Sequence, residues 1–182
     1  SGEWDLSDID TLLTEKTKLV AVNQVSNALG TINPIETLIA KAKKVGAWTL
    51  IDGAQSAPHM AIDLQALGCD FFVFSGHKTY APTGIGILWG RTELLEMLPP
   101  WRGGGEMIKQ VTFEKTTYNE LPFKYEAGTP NIEGGIALAA ALEWMQDIGL
   151  DTITAQEDKL LTLATEAISE IVAPAAMEIT RD

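Results

Sequence analysis

Four short apolar runs limit what this chain can become: Leu19 to Asn23, Thr49 to Asp52, Phe71 to Ser75, and Ile85 to Trp89. Each is apolar nearly throughout and bounded by turn formers, the pattern of a strand buried on both faces. Helical segments separate the first three, so those strands are expected to run parallel in one sheet with helices packed on its faces. The fourth run follows the third after only Thr79 to Gly84, too short for a helical crossover, and is expected to be antiparallel to it. The fold class that follows is α/β with a mostly parallel sheet.

Helix signals fill the gaps. Asn33-Pro34-Ile35-Glu36 offers an N-cap, a proline at the first helical position and an early glutamate. Ile35, Leu38, Ile39 and Ala42 then mark one face, and Gly46 ends the helix. Lys41, Lys43 and Lys44 suit a helix C-terminus, where cations complement the dipole. Ser7 with Asp10 is expected to cap a shorter helix carrying Ile9, Leu12 and Leu13. A third helix, about Asn131 to Gly149, is rich in Ala and Leu and is expected to be mostly buried; an amphipathic fourth runs from Asp151 to Val172. Gly103-Gly104-Gly105 and the alternating Ile108 to Phe113 read as a loop and hairpin leaving the sheet, and Met177 to Thr180 as the beginning of a strand.

The formal net charge is −12, from 25 acidic and 13 basic residues, and this argues against a nucleic-acid partner. Cys69 is the single cysteine, so no disulfide framework exists and a reducing, cytoplasmic location is expected. It precedes a buried strand, where a free cysteine is ordinarily inert packing. No apolar run is long enough to span a membrane, no signal peptide is evident, and the chain opens on Ser1-Gly2 rather than Met.

The third run ends in Ser75-Gly76-His77-Lys78. Ligands of open α/β sheets bind at strand C-terminal ends, and a partly desolvated lysine there loses basicity and becomes able to form a Schiff base with a carbonyl cofactor. Asp52-Gly53-Ala54-Gln55 follows the second strand. A lone aspartate there would be a turn former. Facing a lysine across strand ends, it is what a pyridoxal phosphate site requires, because a carboxylate keeps the pyridinium nitrogen protonated. A tight turn would bring Gln55 within reach of the ring's phenolic oxygen. Strand alternation, if it persists, places Ser75 and His77 on one side, toward a phosphate, and Lys78 on the other. His59, after a proline, reads as a loop residue.

The ordered motifs resemble the class V aminotransferase family, and within it the SufS-type (group II) cysteine desulfurases. They are Gln24-Val25-Ser26-Asn27-Ala28-Leu29-Gly30, Asp52-Gly53-Ala54-Gln55, Phe74-Ser75-Gly76-His77-Lys78, Pro82-Thr83-Gly84-Ile85-Gly86, Gly103-Gly104-Gly105-Glu106-Met107 and Glu126-Ala127-Gly128-Thr129-Pro130-Asn131. The resemblance spans nearly the whole chain, and the set in order is far more specific than any one motif. It implies the large domain of the fold type I, aspartate aminotransferase-like, pyridoxal-phosphate-dependent transferases, with the four strands side by side. Residues 1–130 would form the C-terminal half of that domain, with a hairpin excursion at about 101–130. Residues 131–182 would lead toward a small C-terminal domain.

By the same resemblance Lys78 is the Schiff-base lysine, Asp52 the pyridinium partner and Gln55 the ring-hydroxyl partner. Ser75 and His77 hold the phosphate, Asn27 lies near the substrate carboxylate, and Thr129 reaches a neighbouring subunit's phosphate. The implied activity converts L-cysteine to L-alanine and an enzyme persulfide, supplying iron–sulfur cluster assembly from a homodimer that hands sulfur to an acceptor protein. Selenocysteine lyase or another reaction of the family is the alternative, and a non-catalytic binding relative is the alternative of another class. Family members are longer at both ends, so the persulfide-forming cysteine and the carboxylate-clamping arginine are expected outside this chain.

Overall fold

The computed structural model describes residues 2–179. One four-stranded sheet organises them: β1 (Leu19–Asn23), β2 (Trp48–Asp52), β3 (Phe71–Ser75) and β4 (Gly86–Gly90), side by side in that order. β1, β2 and β3 are parallel, with Asn23 opposite Asp52 and Asp52 opposite Val73. β4 is antiparallel to β3, Phe71 facing Gly90 and Ser75 facing Gly86. The expected order and directions are therefore the observed ones, and three strand boundaries, the start of β2 and both ends of β4, differ by one residue.

Helices lie on both faces. α2 (Ile35–Lys44) turns Ile35 and Ile39 onto Ile51 and Phe72, with Val22, Phe74 and Trp89 around them and Cys69 at the edge. The short α3 (Leu64–Leu67), capped by the Asp63 carboxylate on Gln65 N–H and Ala66 N–H, adds Leu64 and Leu67 to the same core. On the opposite face α4 (Thr92–Met97) sets Leu95 against Gly90 and the Phe71 ring, while Trp48 meets Phe71 edge-on. Neither α3 nor α4 is long enough to show a period in the sequence.

The start of the sheet is tied by one buried carboxylate. Asp70 Oδ2 accepts from Thr49 N–H at 2.8 Å and from Thr49 Oγ1 at 3.0 Å, and Asp70 Oδ1 receives Arg91 Nη1 at 3.3 Å. These bonds join the beginnings of β2 and β3 to the end of β4, and they satisfy an acid that is only 5% exposed.

Two expected caps are not formed. Ser7 does not cap α1 (Ile9–Leu12): its N–H donates to Asp5 Oδ1, and Asp8 holds the cap position without a side-chain bond. Asn33 does not cap α2 either, because its amide donates to Asn23 O at 3.0 Å, pinning the chain to the end of β1, and Pro34 occupies the cap position. The Asn33 side chain found its partner outside its own helix, which a local pattern cannot foresee. Gly46 does end α2, in the left-handed region at φ +73.

The hairpin is present as β5 (Ile108–Val111) and β6 (Thr116–Tyr118). α5 (Ile132–Ile148) begins under the Asn131 side chain, which accepts from Gly134 N–H, and stops at Gly149. It is not mostly buried: only Gly134, Leu138 and Met145 are, while Ile132, Ile136 and Trp144 are 60%, 68% and 51% exposed. One stripe is covered; of the rest, Trp144 meets the Tyr80 ring, while Ile132 and Ile136 stay largely exposed. α6 spans Leu150–Ile179, so Met177 to Ile179 continue a helix and do not start a strand; Thr180 lies outside the described residues.

Candidate active site

The C-terminal ends of β1, β2 and β3 point to one edge of the sheet, and the loops leaving them carry all but one of the candidate residues. Asn27 follows β1, Asp52 ends β2 with Gln55 three residues on, and Ser75 ends β3 ahead of His77 and Lys78. Because Asn23, Asp52 and Val73 share a row, period-two alternation sets Asp52 and Ser75 on the face opposite Ile51 and Phe72.

Asp52 is exposed. Its Oδ1 accepts Ala54 N–H at 2.9 Å, an Asx-type bond that closes the turn after the strand. Gly53 follows because nothing larger fits: a Cβ there would lie 1.9 Å from the Phe72 ring. Ser56 N–H and Ala57 N–H both return to Gly53 O, at 3.0 and 2.8 Å, so the turn is tight. Gln55 is held on its outer side and donates from Nε2 to Asn27 Oδ1, which joins the residue expected at the ring hydroxyl to the one expected at the substrate carboxylate.

The extended geometry expected beyond Ser75 is replaced by a turn. β3 ends there and Gly76–Lys78 forms one turn of 3₁₀ helix, closed by Thr79 N–H on Gly76 O at 2.8 Å. Alternation therefore stops at Ser75, and it does not pair His77 with Ser75 against Lys78. The turn is locked from below: Thr79 is fully buried with Oγ1 on Gly76 O at 2.9 Å, and Ala81 N–H bonds the same carbonyl. His77 is exposed and Lys78 half-buried. Gly76 is required here, since a Cβ would come within 2.6 Å of the Ile85 side chain. Tyr80, two residues past Lys78, has φ 62 and meets the Trp144 ring of α5 edge-on at 5.1 Å.

Two open cavities flank this edge. One, about 390 Å³, is lined by Ser26, Asn27, Gln55, His59, Thr154 and Glu157 among others. The other, about 860 Å³, lies between β4 and the start of α5 and contains Thr129 with Gly86, Ile87, Glu106, Phe123 and Asn131. Thr129 thus lines a different cavity from Asn27 and Gln55. Its segment is attached to the loop after Lys78 through Asn131 Nδ2, which donates to Gly84 O at 3.1 Å.

In the sequence His59 reads as a plain loop residue, and nothing local singles out Thr154 or Glu157. His59 Nδ1 lies 2.7 Å from Glu157 Oε1, and Thr154 Oγ1 donates to His59 O at 2.6 Å. His59 and Glu157 are 98 positions apart, so no local signal could have revealed the pair. Among the described residues no group of acidic, His or Cys side chains is arranged to hold a metal ion, and no helix is long and apolar enough to cross a membrane.

A mostly parallel α/β sheet with helices on both faces defines the large-domain architecture of fold type I. The chain belongs to the class V aminotransferase family, whose model matches residues 1–180. It is 49% identical over 171 residues to a cysteine desulfurase of Dickeya dadantii, covering 93% of this chain and 42% of the relative. It is 52% identical over 170 residues to a cysteine desulfurase of Synechococcus elongatus, again over 93% of this chain but 27% of the relative. Among solved structures, the cysteine desulfurase CsdA of Escherichia coli superposes with a TM-score of 0.87 at 42% identity, over 91% of this chain and 41% of that one. The apo cysteine desulfurase of Thermococcus onnurineus gives 0.86 at 44% identity, over 93% and 42%. The chain therefore spans about two-fifths or less of the length of these relatives.

Proposed function

We propose that the protein to which this chain belongs is a pyridoxal-phosphate-dependent cysteine desulfurase, converting L-cysteine to L-alanine and an enzyme-bound persulfide. The observation that carries the reading is the gathering of Asn27, Asp52, Gln55, Ser75, His77 and Lys78 on the loops that leave three adjacent parallel strands. The names of relatives about half identical to this chain support the same reaction.

The donor set fits the cofactor. Asp52 brings a carboxylate with one oxygen engaged by Ala54 N–H and the other open to a protonated ring nitrogen. Gln55 offers an amide to a phenolic oxygen, Ser75 and His77 offer a hydroxyl and an imidazole to a phosphate, and Lys78 offers a primary amine. When bound, pyridoxal phosphate supplies an electron sink for a carbanion at the substrate α-carbon.

The chain's own residues then have definite tasks. Lys78 Nζ would take the substrate α-proton and hold it for return. The 3₁₀ turn locked by Thr79 fixes the backbone from which that amine is presented. Asn27, coupled to Gln55, orients the substrate carboxylate. Sulfur removal also needs a thiolate. Cys69 is 1% exposed in the core and burial pushes its thiol up, so the accepting cysteine belongs to another part of the protein. We further assign Thr129 to the phosphate site of a second subunit, which makes the active protein a homodimer serving a sulfur-acceptor protein and iron–sulfur assembly in the cytoplasm.

Full-length protein incubated with pyridoxal phosphate should develop a visible absorption band that borohydride fixes on the peptide containing Lys78. Lys78→Ala should lower alanine formation from cysteine by at least about a hundredfold, the scale of a lost proton-transfer group. A label on another lysine, or activity retained in that variant, rules the assignment out.

A further inference from the structure

We propose that α6 acts on the active site through Glu157 and Thr154, which clamp His59 and thereby fix the loop that presents Gln55. The loop is gripped twice, on ring and on backbone: Glu157 Oε1 lies 2.7 Å from His59 Nδ1 and Thr154 Oγ1 donates to His59 O at 2.6 Å. Both contacts come from one face of α6, since residues three apart are neighbours on a helix. Leu150 O lies 3.0 Å from the same Thr154 Oγ1 and competes for its single proton, with the shorter contact going to His59 O.

Consecutive hydrogen-bonded turns tie His59 to the segment that carries Gln55. His59 N–H and Met60 N–H both bond Ser56 O at 3.0 Å, and Ser56 N–H and Ala57 N–H bond Gly53 O, so consecutive turns link residues 53 to 60. Ser56, fully buried, donates to Gln24 Oε1 at 2.7 Å and nails the middle of the loop to the end of β1. Pro58 is also fully buried and restricts the backbone next to His59. Gln55 therefore has little freedom apart from the loop, and its amide carries the constraint to Asn27.

A contact that merely docked a helix on a surface could sit anywhere along it. Here both tethers line the same 390 Å³ cavity as Asn27 and Gln55. Glu157 and Thr154 are thus positioning residues. They touch neither cofactor nor substrate in this reading, which rests on the function proposed above for its active-site consequence but not for the clamp itself.

The test uses full-length protein in two arms. In the cofactor-free protein, amide hydrogen exchange across residues 53–60 should quicken about fivefold in Glu157→Ala and in Thr154→Val, the scale of one lost hydrogen bond. Glu157→Gln, which keeps an acceptor, should exchange like the wild type. Exchange unchanged in both of the first two variants overturns the clamp, and Thr154→Val decides the matter if Glu157→Ala fails to fold. In the second arm, pyridoxal phosphate is titrated into the wild type, Glu157→Ala, Gln55→Ala and the double variant. Glu157→Ala should weaken binding about threefold to tenfold in the wild-type background and have no effect once Gln55 is gone. Equal weakening in both backgrounds, or none in either, means that Glu157 does not act through Gln55 and overturns the proposal. If the wild type binds no pyridoxal phosphate, the proposed function falls while the exchange arm still decides the clamp.

Discussion

Gly53 shows how closely the site is built on the core. It follows Asp52 directly, and any side chain at this position would run into the Phe72 ring, itself 3% exposed and unable to retreat. Gly53→Ala should cost about 1–3 kcal/mol, the usual penalty of overpacking, seen as a lower urea midpoint at unchanged slope. Asp70 makes the opposite case, a buried charge whose removal strands its partners. Asp70→Ala leaves Thr49 N–H and Thr49 Oγ1 without an acceptor and should cost at least about 2 kcal/mol. Asp70→Asn keeps one acceptor oxygen and should cost less in the same denaturant titration. A cost for the alanine variant no larger than for the asparagine one would remove this account of how the sheet begins.

At the scale of elements, strands were more legible than helix ends. A buried strand announces itself by an apolar run between turn formers, and β1 and β3 match their runs residue for residue. A cap depends on where a side chain finds its partner. Asn33 chose the end of β1 over its own helix, and nothing within α2 records that choice. α5 shows the same limit for burial: an Ala- and Leu-rich helix invites a core assignment, yet only the stripe through Gly134, Leu138 and Met145 is covered. The uncovered face predicts behaviour. The isolated 182-residue polypeptide should bind a hydrophobic dye and self-associate, and Ile132→Lys with Ile136→Lys should suppress both without loss of helical circular dichroism. Dye binding unchanged by the pair would place the adhesive surface elsewhere.

For the whole molecule, Cys69 is a built-in probe. It lies in the core between α2 and the sheet, so a thiol reagent should modify it only as fast as the structure opens globally, and denaturant should raise the rate with the slope of global unfolding. Burial holds its thiol above the ordinary range while the unfolded chain titrates normally. Its contribution to stability is therefore complete below the usual thiol range and is lost as pH rises through it, because the unfolded state alone releases the proton first. Cys69→Ala should flatten that alkaline decline; a decline of the same steepness would assign it to other groups.

The sequence by itself determined the four strands of the main sheet, their order once the resemblance was drawn, and which polar residues end or follow them, Asn27, Asp52, Gln55, Ser75, His77 and Lys78. Those features are local: an apolar run and the polar residues that end it sit together in the chain, and parallel strands necessarily bring such ends to one edge. Only the tertiary structure decided that the chain turns after Ser75, that Gln55 meets Asn27 and that Thr129 opens onto a separate cavity. It alone brought Glu157 to His59 across 98 positions. Each of these outcomes depends on which surfaces pack together, and that competition among distant side chains leaves no periodic mark in the sequence.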